Sequence, residues 1–373
     1  MVLLFFTVIF SLGYAGLILF YYYHWRQLPL FSSYKKEPNL FISVIVAARN
    51  EEKTLPELLT ALLSQTYPKQ FVEIIVIDDF STDSTWNVAT LFATNGVVVI
   101  RPNADAKRSS KKKALEAGVK KATGELILVT DADCLPPPEW IETVVSFYKE
   151  KEAAFIAAPV KYVHNRSLLQ LFQAIDFIAL QGITAASVQA NFHTMCNGAN
   201  LGYTKSSFIS VDGFEGIDKV ASGDDMLLMH KIWKKNKKKV FYLKSKEAIV
   251  TTKPMKTWKE FINQRKRWAS KTAYYDDKRI LFVLLFIYCF NCLFLVLVIA
   301  TIFHLKFWPL PVGYLLFKTS IEMLFVSSVA SFYNEKKLIF YFPLLQPLHI
   351  LYTISIGFIS QLGTYNWKGR KTK

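Results

Sequence analysis

Residues 1–23, 280–303 and 338–363 of this sequence are long, predominantly apolar stretches that carry no Asp, Glu, Lys or Arg. A helix through residues 280–303 is roughly 36 Å long, enough to cross a hydrocarbon core of about 30 Å. In lipid, backbone amides must find partners within their own segment, so such runs fold as helices. A fourth run, residues 307–332, is apolar except for Lys318 and Glu322. One span is therefore expected before the central region and two or three after it. Residues 1–23 read as a retained anchor, because the apolar stretch is too long for a signal peptide and lacks a basic start.

The flanks set an orientation. Arg26, Lys35 and Lys36 follow the first run, and Arg265, Lys266, Arg267, Lys271, Lys278 and Arg279 stand before the second. Basic flanks favour the cytoplasmic side, so the reading is a multi-pass cell-membrane protein with its central region in the cytoplasm. The formal net charge of +16 is then assigned to anionic lipid headgroups rather than to nucleic acid. Lys234, Lys235, Lys237, Lys238 and Lys239 form the densest basic run, a solvated or lipid-facing surface. The last run is ambiguous. Three full spans would leave the carboxyl end outside, yet Lys368, Arg370, Lys371 and Lys373 make that tail basic. Pro343, Gln346, Pro347 and His349 make a broken or re-entrant segment an alternative. Cys289 and Cys292 form C-x-x-C inside a span, without the strand–turn–helix setting of a redox motif. With Cys134 and Cys196 they suggest no disulfide framework, which fits a reducing cytosol.

The parts are thus residues 1–23 as a membrane helix, 24–40 as a linker, 41–250 as an α/β domain, and 251–279 as an interfacial helix. Residues 280–363 follow as terminal helices and 364–373 as a basic tail. Within 41–250, residues 41–48, 72–77, 97–101 and 126–129 are short apolar runs suited to buried strands. The helical stretches 52–65, 82–94 and 112–122 lie between them. Alternation of this kind implies parallel pairing and a site beyond the carboxyl ends of the strands.

Two of those strands end in acids. Asp78 and Asp79 follow Ile77, and Asp131 and Asp133 follow Thr130. Carboxylates crowded into one crevice repel each other, and a divalent cation such as Mg²⁺ or Mn²⁺ removes that penalty. A solvated turn is the plainer alternative.

The stretch ISVIVAARNEEKTLPELLTALLSQTYP, then EIIVIDDFSTDST, SSKKKALEAG, VTDADC, NGANLGY, SGDDMLL and QRKRW, resembles the family 2 glycosyltransferases over residues 42–268. The resemblance implies a GT-A fold, a Rossmann-like α/β sheet that binds a nucleotide-sugar donor, beside α-helical transmembrane segments at both ends. It implies that Asp79, with Asp78 beside it, contacts the base or ribose, and that Ala48, Asn50 and Glu51 line the same pocket. Lys111 would approach the diphosphate, although Ser110 stands where the family has glycine. Asp131 and Asp133 match the D-x-D that positions donor and metal. Asp224 and Asp225 match the family's E-D pair, with Asp225 as catalytic base. Gln264, Arg267 and Trp268 match Q-x-x-R-W, placed beside donor diphosphate and acceptor in membrane polysaccharide synthases and ceramide glucosyltransferase-like enzymes.

The expected function is inverting transfer from a nucleoside-diphosphate sugar, UDP by default, to a lipid-linked or glycan acceptor, in cell-envelope or glycolipid synthesis. A processive polysaccharide synthase is an alternative, and a non-catalytic nucleotide-sugar-binding membrane protein is another. Plainer readings stand beside several residues. Asp224 and Asp225 suit the first turn of a helix, and Trp268 suits a membrane interface. Residues 168–187 read either as a buried helix of the domain or as a membrane-surface helix. Lys318 and Glu322 read either as a neutralising pair or as a headgroup lining. His164, His193 and His230 show no metal-ligand spacing.

Overall fold

A computed structural model describes residues 2–33, 39–102, 110–218, 223–270, 277–360, 365–367 and 370–372. Of the basic residues read as flanks, Lys35, Lys36, Lys271, Lys368 and Lys373 lie outside the described residues, as do Ser109 and Ser222 of the matched motifs. In chain order the elements begin with α1 (Val2–Gln27), β1 (Ile42–Ala48), α2 (Leu55–Leu63), β2 (Val72–Asp78), α3 (Thr85–Leu91), β3 (Val97–Ile100), α4 (Lys111–Lys121) and β4 (Leu126–Asp131). They continue with β5 (Cys134–Leu135), α5 (Trp140–Lys151), β6 (Phe155–Ala157), β7 (Val160–Tyr162), α6 (Leu168–Gln189), β8 (Leu201–Thr204), α7 (Lys205–Ser210) and α8 (Asp224–Lys235). Then come β9 (Val240–Tyr242), β10 (Val250–Thr252), α9 (Trp258–Ala269), α10 (Lys278–Phe303), α11 (Pro309–Phe332) and α12 (Phe342–Ile359).

The chain divides into two compact units. One is formed by Pro29–Val163, Thr194–Lys253 and Asn366–Lys373. Its main sheet has the strand order β3-β2-β1-β4-β8-β6-β9. The first four of these are mutually parallel, as the alternating pattern requires, and β8 runs antiparallel to both neighbours. Strand β1 is apolar along its length because both of its faces are covered: Ile42, Val44, Ile45, Val46 and Ala48 are 0% exposed. Helix α4 lies close on that sheet through Gly118, where a Cβ would come within 2.7 Å of Ile77 and 2.8 Å of Ile45. The register aligns Ala48 with Asp78 and Ala47 with Asp131. Both acidic strand ends therefore lie at one edge of the sheet, two strand spacings or roughly 10 Å apart. A smaller sheet, β5-β10-β7, completes this unit.

The other unit is formed by Met1–Leu28, His164–His193 and Pro254–Tyr365. Within the stretch 41–250, then, residues 164–193 are grouped with the terminal helices. Helix α6 is buried over most of its length and packs on α1 and α11. Gly182 allows the close approach, since a Cβ there would meet Val329 at 2.5 Å and Phe325 at 2.8 Å. Among the described residues, five helices of this unit are long and apolar enough to cross a membrane: α1, α6, α10, α11 and α12. Helix α12 runs continuously through Pro347, which sits in its second turn. Lys318 and Glu322 face each other at 2.5 Å, and Gln346 bonds both, at 3.1 Å to Lys318 and 2.5 Å to Glu322. The Tyr14 hydroxyl also donates to Glu322. Glu322 is thus held from α1, α11 and α12, which favours the neutralising pair over an open lining.

Candidate active site

The ends of β1 and β2 form a rigid ledge. Asp79 donates its amide to Ala48 O at 2.8 Å, extending the ladder by one residue. The next residue, Phe80, has φ +54°, a strained setting for a large side chain. Arg49 spans the gap and donates to Asp79 O at 2.6 Å and Phe80 O at 3.1 Å. Asn50, also left-handed at φ +53°, accepts from Thr82 N at 2.8 Å. Glu51 donates its amide to Thr85 Oγ1 at 2.7 Å. Asp78 is fully buried and paired: Arg101 Nε lies 2.9 Å from its carboxylate, and the Arg101 guanidinium stacks 4.3 Å from the Trp86 ring. Asp79 is 2% exposed.

A second cluster forms around one lysine. Lys111 opens α4, where Ser110 caps the helix by accepting from Lys113 N. Its ammonium lies 2.7 Å from Asp131 Oδ1, at the end of β4, and 3.0 Å from Asp224 Oδ2, at the start of α8. Burial opposes the charge on Lys111, but Asp131, Asp224 and Asp225 outweigh it, and the ammonium is held well above its ordinary lysine range. Asp225 Oδ2 accepts from Gly198 N at 3.0 Å. Gly198 packs closely on the cluster: a Cβ would stand 3.1 Å from Lys111 Nζ, a tight contact, 3.5 Å from Asp224 Oδ2 and 3.6 Å from the Asp225 Cβ. So β4, α4, α8 and the loop before β8, far apart in sequence, meet at a single point.

Asp131 and Asp133 supply carboxylate oxygens that, with Cys134, lie within 4.8 Å of one another. Asp133 is exposed and Asp131 is half-buried. Burial and the adjoining Asp133 and Asp131 push the Cys134 thiol well above its usual range, so it stays protonated. Two hard oxygen donors with a neutral thiol behind them fit Mg²⁺ or Mn²⁺ held by Asp131 and Asp133, with Cys134 outside the donor set.

Gln264, Arg267 and Trp268 lie on α9, in the helical unit. A capping box fixes the start of α9: Thr257 accepts from Glu260 N, and Glu260 accepts from Thr257 N. Its register is pinned by Arg265, 2% exposed, whose guanidinium lies 2.8 Å from Asp176 of α6 and 4.2 Å from the Trp268 ring. The buried Gln264 Oε1 has no hydrogen-bond donor among the described residues, a costly state for an amide oxygen.

Sequence reasoning passed over Arg49, Arg101 and Gly198. Gly198 had a signal, since it lies in the matched NGANLGY stretch. Arg49 also lies in a matched stretch, ISVIVAARNEE, but the contacts of both arginines with sequence-distant backbone and carboxylate are revealed by no local pattern.

Residues 43–210 match the model of the glycosyl transferase family 2 domain. The chain carries a family 2 glycosyltransferase domain. Probable glycosyltransferase YdaM of Bacillus subtilis is 27% identical over 258 residues, 67% of this chain and 59% of that protein. A second relative, the Escherichia coli UDP-Glc:alpha-D-GlcNAc-diphosphoundecaprenol beta-1,3-glucosyltransferase WfaP, is 26% identical over 163 residues, 43% of this chain and 57% of its own. The chain spans less than two thirds of the length of either relative. Among solved structures, the Pyrobaculum calidifontis mannosyltransferase PcManGT in complex with GDP-Man and Mn²⁺ aligns with TM-score 0.61 and 17% identity. The alignment covers 95% of this chain and 97% of that one. The fold is the α/β GT-A sheet.

Proposed function

We propose that this chain is an inverting glycosyltransferase that moves a sugar from a nucleoside-diphosphate sugar to a lipid-linked or glycan acceptor at a cell membrane, with its catalytic domain on the cytoplasmic side. The observation that carries this reading is the convergence of Asp131, Asp224 and Asp225 on Lys111 beneath Gly198, at the edge where the parallel strands end. WfaP, by its name, takes UDP-Glc and a diphosphoundecaprenol acceptor, and PcManGT was solved with GDP-Man and Mn²⁺. The base is therefore open between UDP and GDP, with UDP as the default. The five long apolar helices support membrane attachment.

Asp131 and Asp133 would hold a divalent cation, which when bound would supply Lewis-acid neutralisation of the leaving diphosphate. The remaining work falls to side chains. Lys111 offers a point charge to the diphosphate. Asp225 accepts the proton of the acceptor hydroxyl as that oxygen bonds to the anomeric carbon. The bond from that carbon to the diphosphate oxygen breaks, and its electron pair leaves on the diphosphate. One displacement inverts the anomeric centre. Asp224, ion-paired with Lys111, is less suited to take the proton. Asp79, Ala48, Asn50 and Glu51 are assigned to the nucleoside, with Asp78 buried beside Asp79 and paired with Arg101. Gln264 and Trp268 are assigned to the acceptor side.

The test is a donor panel on the purified full chain in detergent, with Mn²⁺ or Mg²⁺ and a polyprenyl-diphosphate sugar acceptor. Nucleotide release and product mass are measured. One UDP- or GDP-sugar should release nucleotide and add its sugar, and Asp133→Ala should weaken metal-dependent nucleotide binding. No release from any donor, with any added metal, would remove the proposal. Polymer on each acceptor, instead of one or a few sugars, would favour the processive synthase.

A further inference from the structure

Lys111 sits where a catalytic cation needs a ligand. Its ammonium lies 2.7 Å from Oδ1 of Asp131, one of the two carboxylates assigned to that cation. It lies 3.0 Å from Asp224 on the other side. The three side chains are largely enclosed, with exposures of 19% for Lys111, 33% for Asp131 and 11% for Asp224. Gly198 lies over the ammonium, where a Cβ would make a tight 3.1 Å contact with it. The lysine is thus clamped between two acids in a partly enclosed site, where like charges repel more than in bulk water. A cation arriving on Asp131 and Asp133 must either share Asp131 with an ammonium or push it away.

We propose that Lys111 is an internal counter-ion that weakens cation binding until a nucleoside diphosphate arrives, so that the cation and the nucleotide bind as a coupled pair. This rests on the reading of Asp131 and Asp133 as the cation site. The diphosphate carries the charge that resolves the conflict. It offers oxygens to the cation and to the ammonium at once, and lets Lys111 leave Asp131 while Asp224 still holds it. The four-carbon stem permits that shift without moving α4. By linkage, whatever factor the nucleotide adds to cation affinity, the cation adds equally to nucleotide affinity. The consequence is economical for a transferase: the acid cluster stays neutralised when empty, and loose cations do not occupy it unproductively.

The experiment measures Mn²⁺ binding by electron paramagnetic resonance on the full chain in detergent, with Mn²⁺ alone and with UDP or GDP added. Wild type should bind Mn²⁺ at least about tenfold more tightly when the right nucleotide is present. Lys111→Met should bind Mn²⁺ alone about tenfold more tightly than wild type, and gain little from nucleotide. Lys111→Arg, which keeps the charge, should remain weak with Mn²⁺ alone. The idea is overturned if Lys111→Met binds Mn²⁺ alone no better than wild type, or if Lys111→Arg behaves like Lys111→Met. Should the methionine variant fail to fold, wild type alone still decides: equal Mn²⁺ affinity with and without nucleotide overturns the coupling. A wild type that transfers sugar with Mn²⁺ but shows no coupling ends only the lysine proposal. A wild type that binds no Mn²⁺ with either nucleotide ends the transferase reading as well.

Discussion

The two adjacent acids at the start of α8 hold different partners. Asp224 is ion-paired with Lys111, whereas Asp225 accepts the Gly198 amide. Asparagine at 225 is nearly isosteric and can still accept that amide, but it cannot take a proton. Asp225→Asn should therefore cut kcat by about 10²- to 10⁴-fold with nucleotide affinity within a few-fold of wild type. Single-turnover kinetics and nucleotide titration would measure both. Normal turnover would remove Asp225 as base, and loss of kcat in Asp224→Asn with intact binding would exchange the two roles. At this scale the sequence was partly legible. Acids that directly follow apolar strands can be read from the chain, because strand ends in a parallel sheet share an edge. The ion pairs they form cannot. Asp131 meets Asp224 through a lysine twenty positions upstream of one and more than a hundred from the other, and Asp78 is neutralised by an arginine on the end of a different strand.

Among elements, α6 was legible as a helix but not in its company. An apolar stretch signals burial without naming the partner, and here α1 and α11 flank it. The chain just beyond α6 records that packing. His193 is 3% exposed, and its Nε2 lies 3.1 Å from the Tyr21 hydroxyl and 3.0 Å from Ser187 Oγ. Burial lowers its pKa to about 4, with Asp277 opposing and Arg279 reinforcing the shift. The unfolded imidazole titrates near 6.5. Between pH 6.5 and 4 the unfolded chain binds the extra proton, so stability falls as pH drops through that window and is fully present above it. The loss should reach up to about 3 kcal/mol on the acid side. Thermal melts in detergent from pH 4.5 to 7.5 should show it, and His193→Gln should flatten the slope. An unchanged slope in that variant would mean that other groups set the acid sensitivity.

For the whole molecule, the interleaving of the two units along the chain has a practical outcome. Residues 41–250 cover the family 2 match yet contain α6, whose partners α1 and α11 come from outside that stretch. Gly182 contacts α11, and Leu171, Ile175 and Ile178 repeat at the helical spacing that places them on the same face. All three are buried in the full chain. Cut from its neighbours, a fragment of residues 41–250 would expose that face as one apolar stripe, the kind of patch that drives association. The fragment should therefore pellet without detergent while the β1–β4 sheet remains folded, as read by circular dichroism in detergent. Combining Leu171→Lys, Ile175→Glu and Ile178→Lys should move most of it into the supernatant. If the unaltered fragment stays monodisperse without detergent, α6 can bury its face inside residues 41–250, and the dependence on α1 and α11 is absent.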